Sequence, residues 1–176
     1  MSPITDAPDG ILRWSVRPGR SYVLEADGLE LGHLGFSRGH GSLAQGMTAH
    51  GEWTFKREGF LHPRITVRKT GEVSNCGSLT LAANGNGKLT LTSGEEFNFI
   101  TSGWLQSHWS FHRGLVEIVR FGRDGSSADV EVVTPTVSVE TLSVLVMLGW
   151  YAPLLAADEA AVMAASTSAV TAAVVS

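Results

Sequence analysis

Between Ile11 and Val133 the chain is a succession of short runs in which apolar and polar residues alternate. Leu12, Trp14 and Val16 alternate with Arg13 and Ser15. Trp53 and Phe55 alternate with Glu52, Thr54 and Lys56, and Ile65 and Val67 with Arg64, Thr66 and Arg68. The same period recurs at Leu89 and Leu91, Phe97 and Phe99, Trp109 and Phe111, and Val130 and Val132. Period two puts successive side chains on opposite faces of an extended strand, so each run has one apolar face and one wet face. Glycine beside Asp, Asn or Ser separates the runs, as at Asp27-Gly28, Asn84-Gly85, Ser93-Gly94 and Asp124-Gly125. Such pairs accept the positive φ of tight hairpin turns. The pattern predicts about twelve antiparallel strands, near 11–17, 20–26, 29–36, 42–49, 52–57, 63–69, 73–81, 87–92, 95–101, 107–113, 115–121 and 127–133. Many short, evenly spaced strands build a sandwich or a barrel.

After Thr134-Pro135 the pattern changes. Of the 20 glycines only Gly149 lies beyond Gly125. Thr141 to Ala157 holds no charge and is apolar on every side. A helix of this kind is buried all round, in protein or in lipid. The predicted helix spans about 136–157, and Pro153 predicts a kink or an end within it. Residues 158–176 read as an Ala- and Val-rich tail or a second helix. Burial in protein is the preferred reading of the apolar segment. Gly149 and Pro153 interrupt it, and no Lys or Arg follows Arg123 to orient an insertion. A barrel supplies the place. Eight strands leave a lumen that side chains fill, twelve leave a wider one, and a helix about 10 Å across plugs it. The expected fold is one domain over residues 1–176. It is all-β with a C-terminal helix: a single antiparallel barrel of about twelve strands (about 11–133) enclosing a hydrophobic α-helix.

Composition narrows the function. A length of 176 residues fits one domain, and 43% apolar against 17% charged residues excludes a disordered chain or a coiled coil. Lys plus Arg number 13 against 17 Asp plus Glu, a net charge of −4, so no nucleic-acid partner is expected. Cys76 is the only cysteine, which leaves no internal disulfide and no cysteine-based zinc site. Met1 to Gly10 lacks a basic patch followed by an apolar run. The expected location is the cytoplasm, with peripheral membrane attachment as its one variation.

Several stretches carry a family resemblance. They are Gly41-Ser42-Leu43, Trp53-Thr54-Phe55-Lys56-Arg57, Gly59-Phe60, Pro63-Arg64-Ile65-Thr66-Val67-Arg68 and Leu145-Val146-Met147-Leu148-Gly149-Trp150-Tyr151. From about Trp14 onward the chain resembles the tubby-like barrels, which include the tubby C-terminal domain, phospholipid scramblases and the LURP-one-related proteins. It is most similar to small bacterial members of unassigned function. The shared motifs are structural and imply the fold rather than an activity. The resemblance also implies a candidate ligand, an anionic phospholipid headgroup held by basic residues on the barrel. Pro153 departs from the family plan, in which the helix is unbroken.

Candidate chemistry is sparse. His108 and His112 share a strand face about 13 Å apart, too far for one metal ion, and the remaining histidines show no ligand spacing. Asn84-Gly85-Asn86-Gly87-Lys88 lacks the ending of a phosphate-binding loop and reads as a turn entering a strand. Glu95 and Glu96 are neighbours on opposite strand faces and cannot act as a pair. No nucleophile motif occurs, and Cys76 reads as a small core residue of its strand. The expectation is therefore no catalytic residue, no metal and no cofactor. The outstanding polar feature is a basic hairpin. Lys56, Arg57, Arg64, Arg68 and Lys69 place five of 13 positive charges within 14 residues. Arg57 falls in phase with Trp53 and Phe55, which puts it at the barrel rim. These five are the candidate ligand-binding residues of a non-enzymatic module, for an anionic lipid headgroup, a small anion or a protein partner. Two alternatives stand beside it: a scramblase-like protein whose 141–157 segment leaves the barrel and inserts in a membrane, and an enzyme with a rim pocket built of histidines and carboxylates.

Overall fold

The computed structural model describes residues 1–4, 11–37, 41–59, 63–103 and 107–174, with side chains described as far as Ala165. Twelve strands and one helix follow in chain order: β1 (Ile11–Arg17), β2 (Ser21–Ala26), β3 (Leu29–Phe36), β4 (Ala44–Thr48), β5 (Gly51–Glu58), β6 (Arg64–Lys69), β7 (Gly77–Leu81), β8 (Gly87–Leu91), β9 (Glu96–Ser102), β10 (His108–Arg113), β11 (Val116–Asp124), β12 (Ser127–Val132) and α1 (Val139–Val174). Every strand pairs with its sequence neighbours, and β1 pairs with β12 to close the barrel. The closing register sets Leu12 against Val130 and Trp14 against Ala128. All pairings are antiparallel. Strands near 73–81 and 115–121 are shifted from their expected bounds. Val73 is 97% exposed in the turn before β7, and β11 runs on to Asp124. Cys76 consequently precedes β7. It is half-buried, packs against the core and donates through Sγ to the Val67 carbonyl at 3.4 Å.

Alternation explains the core. Trp53 and Phe55 on β5, Phe97 and Phe99 on β9, and Trp109 and Phe111 on β10 all point inward and are buried. They meet α1, whose residues Thr141 to Ala152 are all buried. The helix therefore has no wet side along this length, as its all-round apolar sequence requires. Small and large residues are matched across the interface. Gly32 and Gly46 face Met147, and a Cβ at Gly32 would lie 2.6 Å from Met147 Cε. Conversely, Gly149 on the helix admits Phe121, whose Cζ would lie 2.2 Å from an added Cβ.

Aromatic rings span the lumen. Trp14, Trp150, Trp109 and Phe121 form one continuous stack, with successive centroids 6.4, 6.1 and 5.4 Å apart and interplanar angles of 13°, 13° and 9°. Tyr151 is stacked between Phe36 and Phe55, each centroid 5.5 Å away. Offset stacking of this kind adds roughly 0.5–1.5 kcal/mol per pair beyond the area buried.

One expectation needs correction. The helix does not stop near 157 but runs from Val139 to Val174 through Pro153. A proline in a helix interior removes the N–H that would bond the carbonyl four residues earlier, at a cost of about 3 kcal/mol or more. Here that carbonyl belongs to Gly149, and it accepts instead from Trp109 Nε1 at 2.6 Å. The barrel wall thus supplies the donor that Pro153 lacks. Gly149 and Pro153, the two interruptions in the sequence, act as one packing device.

Candidate functional site

Strand direction gives the barrel two different ends. Residues near the start of α1 lie at one end, with the turns before β5, β7 and β9. There Lys69 Nζ lies 2.7 Å from Glu140 Oε1, Arg113 pairs with Glu95 at 3.6 Å, and Thr141 donates to Glu95 at 3.1 Å. These contacts seat the helix N-terminus. At the other end, the mouth, α1 leaves the barrel after the buried Leu155. At about 1.5 Å rise per residue, residues 156–174 project by roughly 28 Å.

Two arginines of the wall hold the helix at the mouth. Arg57 Nε donates to Glu159 Oε1 at 3.0 Å, and Arg20 pairs with Asp158. Arg20 sits at a φ of +57° in the turn after Gly19. Few residues other than glycine take that conformation. It sets the guanidinium over the Phe36 ring, 4.3 Å from the centroid, beside Asp158. Arg57 is fixed through its backbone. Its N–H donates to Ser42 Oγ at 3.0 Å, and its carbonyl accepts from the same hydroxyl at 3.4 Å. The Ser42 carbonyl in turn accepts from the Tyr151 hydroxyl. Burial pushes the Tyr151 phenol far above its ordinary range, so it stays a neutral donor. A chain of contacts therefore runs from the helix core, through Ser42, to a cation on the rim.

Two cavities flank the helix here and share Arg57 and Glu159 in their walls. One, of about 420 Å³, lies between α1 and the ends of β6 and β7, against Ile65, Leu81, Ala152 and Leu155. The other, of about 820 Å³, is more open and runs past Arg20 and Ser42 to Val162 and Met163 on the projecting helix.

The five basic residues of the hairpin do not form one patch. Arg57 takes the rim position expected from its phase and is partly exposed. Arg64 is beside the smaller cavity and lies 3.6 Å from Glu58. Lys69 is at the opposite end of the barrel, on Glu140. Lys56 and Arg68 project outward from the middle of the wall, in the rows that contain Thr66 and Thr54. Neither makes an ion pair among the described residues. Arg20, Ser42, Tyr151, Asp158 and Glu159 were not among the candidate site residues, although Ser42 and Tyr151 lie in the stretches that carry the family resemblance. The signal for Asp158 and Glu159 was present: they are the only charged residues after Glu140.

The remaining candidates are placed simply. Asn84 to Asn86 lies in the turn between β7 and β8, Gly87 and Lys88 begin β8, and Asn86 accepts from the Thr101 N–H at 2.8 Å. Lys88 pairs with Glu96 at 2.8 Å, outside the barrel, whereas Glu95 faces Thr141. His108 and His112 are engaged separately, by Ser107 and Ser110. His40 and His62 lie outside the described residues. No group of three or more His, Cys, Asp or Glu placed to hold a metal ion occurs among the described residues. Compared with known proteins, the chain matches no family model, no curated protein and no solved structure.

Proposed function

We propose that the protein is a non-enzymatic binding module of the tubby-like kind, which takes an anionic ligand at the mouth where α1 leaves the barrel. The plan of twelve strands around an apolar helix supports the family. The observation that carries the ligand class is Arg57: a rim cation fixed by Ser42, in the walls of two cavities, with a carboxylate already on it. Arg20 and Arg64 extend the row of rim arginines, each beside a carboxylate of its own, Asp158 and Glu58, and Lys56 and Arg68 stand on the adjoining wall with no ion pair among the described residues. A cation gains about 1 kcal/mol near an anionic surface, so Lys56 and Arg68 contribute directly, and the rim arginines contribute where a headgroup replaces the carboxylate each now holds. A phospholipid headgroup in the cytoplasmic leaflet is the proposed target. The test is vesicle flotation with phosphatidylcholine alone and with added phosphatidylserine. Wild-type protein floats with the anionic vesicles and is released by salt. The variant carrying Arg57→Glu, Arg64→Glu and Arg68→Glu stays in solution. Equal flotation of both proteins overturns the reading.

A second reading, attachment to a membrane by the C-terminal segment, is favoured by one feature. From Ala160 onward the chain has no charge, and Val162 and Met163 are 66% and 69% exposed. One helix, Val139–Ala165, is long and apolar enough to cross a membrane, with 72% of its most apolar window buried in the barrel. Withdrawing 141–157 would empty the barrel of its core, so the segment offered to lipid is the one beyond Glu159. Carbonate-resistant pelleting that disappears when the chain ends at Glu159 is the expected result of that reading.

A further inference from the structure

We infer that the cavity between α1 and the ends of β6 and β7 is a site for a single-chain amphipathic carboxylate, its head on Arg57 and its chain along Ile65, Leu81 and Leu155. The inference rests on the mouth being an anion site and names the ligand class. Three observations converge. First, the cavity of about 420 Å³ falls within the roughly 300–1,000 Å³ of small-molecule sites, and its inner wall is apolar. Secondly, its charged groups are few: Arg57 and Arg64 on adjoining strands, with Glu159 on Arg57, and Thr80 is the one uncharged polar side chain beside them, opposite Arg64. An apolar pocket with cations at one edge fits a ligand with one apolar and one anionic end, and fits neither a sugar nor a bare anion. Thirdly, Glu159 itself shows what the guanidinium accepts. Its carboxylate meets Arg57 Nε at 3.0 Å on a partly exposed rim. An external carboxylate makes the same charge-assisted bond. Glu159 is then an internal competitor, carried on the helix, and an arriving ligand displaces it. The displaced carboxylate turns to water, which costs little because exposed ion pairs contribute only modestly.

The experiment is calorimetric titration of the full chain with three probes: decanoate, acetate and decyl maltoside. Decanoate has both ends, acetate only the head and decyl maltoside only the chain. The expected result is saturable 1:1 binding of decanoate, with both other probes at least about tenfold weaker. Arg57→Gln weakens decanoate by roughly two- to fivefold, and Glu159→Gln tightens it by a similar factor. Ala156→Trp, an exposed helix position on the cavity, blocks the site without disturbing the core. That variant keeps the inference testable even if changes at Arg57 impair folding. Equal binding of decyl maltoside overturns the inference, because an apolar patch alone would then suffice. So does unchanged decanoate affinity in Ala156→Trp, or no saturable decanoate binding at all. If anionic vesicles bind but decanoate does not, this inference fails and the headgroup reading survives. If decanoate binds through Arg57 while vesicles do not, the inference stands and the headgroup reading falls.

Discussion

At the scale of single residues, polar groups decide what the apolar core tolerates. Trp109 Nε1 serves the Gly149 carbonyl that Pro153 leaves unpaired. Trp109→Phe keeps most of the stack with Phe121 and Trp150 but strands a buried acceptor, which costs about 1–3 kcal/mol. Pro153→Ala restores an N–H four residues below that carbonyl. The double variant is therefore predicted to recover stability relative to Trp109→Phe alone. Urea unfolding of the four proteins measures the coupling, and strictly additive effects would refute the pairing. Ionisation gives a second prediction. The Arg120 hydrogen bond, together with the Arg120 charge, holds the Glu117 carboxyl below its ordinary value, although partial burial opposes it. A lowered folded-state value means stability that is present above the unfolded carboxylate value, about 4.3, and lost as pH falls through the folded one. Arg120 also pairs with Glu131 at 3.2 Å. The urea midpoint of wild type should therefore drop more between pH 6 and pH 3 than that of Arg120→Gln. Parallel pH profiles would show that this pair contributes nothing.

At the scale of elements, α1 is two helices in one. The part through Leu155 is the barrel's core, and the part beyond is tied to the wall by Arg20–Asp158 and Arg57–Glu159. A chain ending at Glu140 lacks the core helix and should aggregate. A chain ending at Ala160 keeps both ion pairs and should unfold cooperatively by calorimetry, with its Tm within about 4 °C of the full chain. A larger loss would mean that the projecting segment folds back on the barrel. The same division explains what was legible beforehand. Strands were readable because period two and glycine turns are local signals, and Trp53, Phe55, Trp109 and Phe111 marked the inner face unaided. The buried helix was readable because Thr141 to Ala157 has no polar stripe. Its passage through Pro153 was not, because the compensating donor is 40 residues away on β10. Nor was the mouth. Arg57 could be put at a rim by its phase, but Glu159, Arg20 and Ser42 come to it from α1, from the β1–β2 turn and from the residue two before β4. Only closure of the barrel brings those positions together. The hairpin charges misled for the same reason, since Lys69 and Arg57, close in sequence, end at opposite mouths.

At the scale of the molecule, the last element in the chain occupies the centre of the fold. The inner faces of the strands pack on α1, and β1 must find β12 across more than a hundred residues. Neither closure nor helix burial is stable first. An empty barrel of this width would expose its apolar lining to water, and an isolated apolar helix would expose its entire surface. The two events should therefore be one transition. The near-ultraviolet circular dichroism of the Trp14–Trp150–Trp109 stack reports helix seating, and the backbone amide NMR signals of β1–β12 report the strands. We predict coincident urea transitions by both probes and refolding in milliseconds to seconds, as long-range pairing demands. Trp150→Ala removes the ring at the middle of the stack and should cost about 3–5 kcal/mol. It should move both midpoints together. If the strand signal instead persists after the aromatic signal is lost, the barrel holds without its packed helix. The case for α1 as the core that closes the barrel would then fail, and release of the helix at the mouth would be open to an arriving ligand.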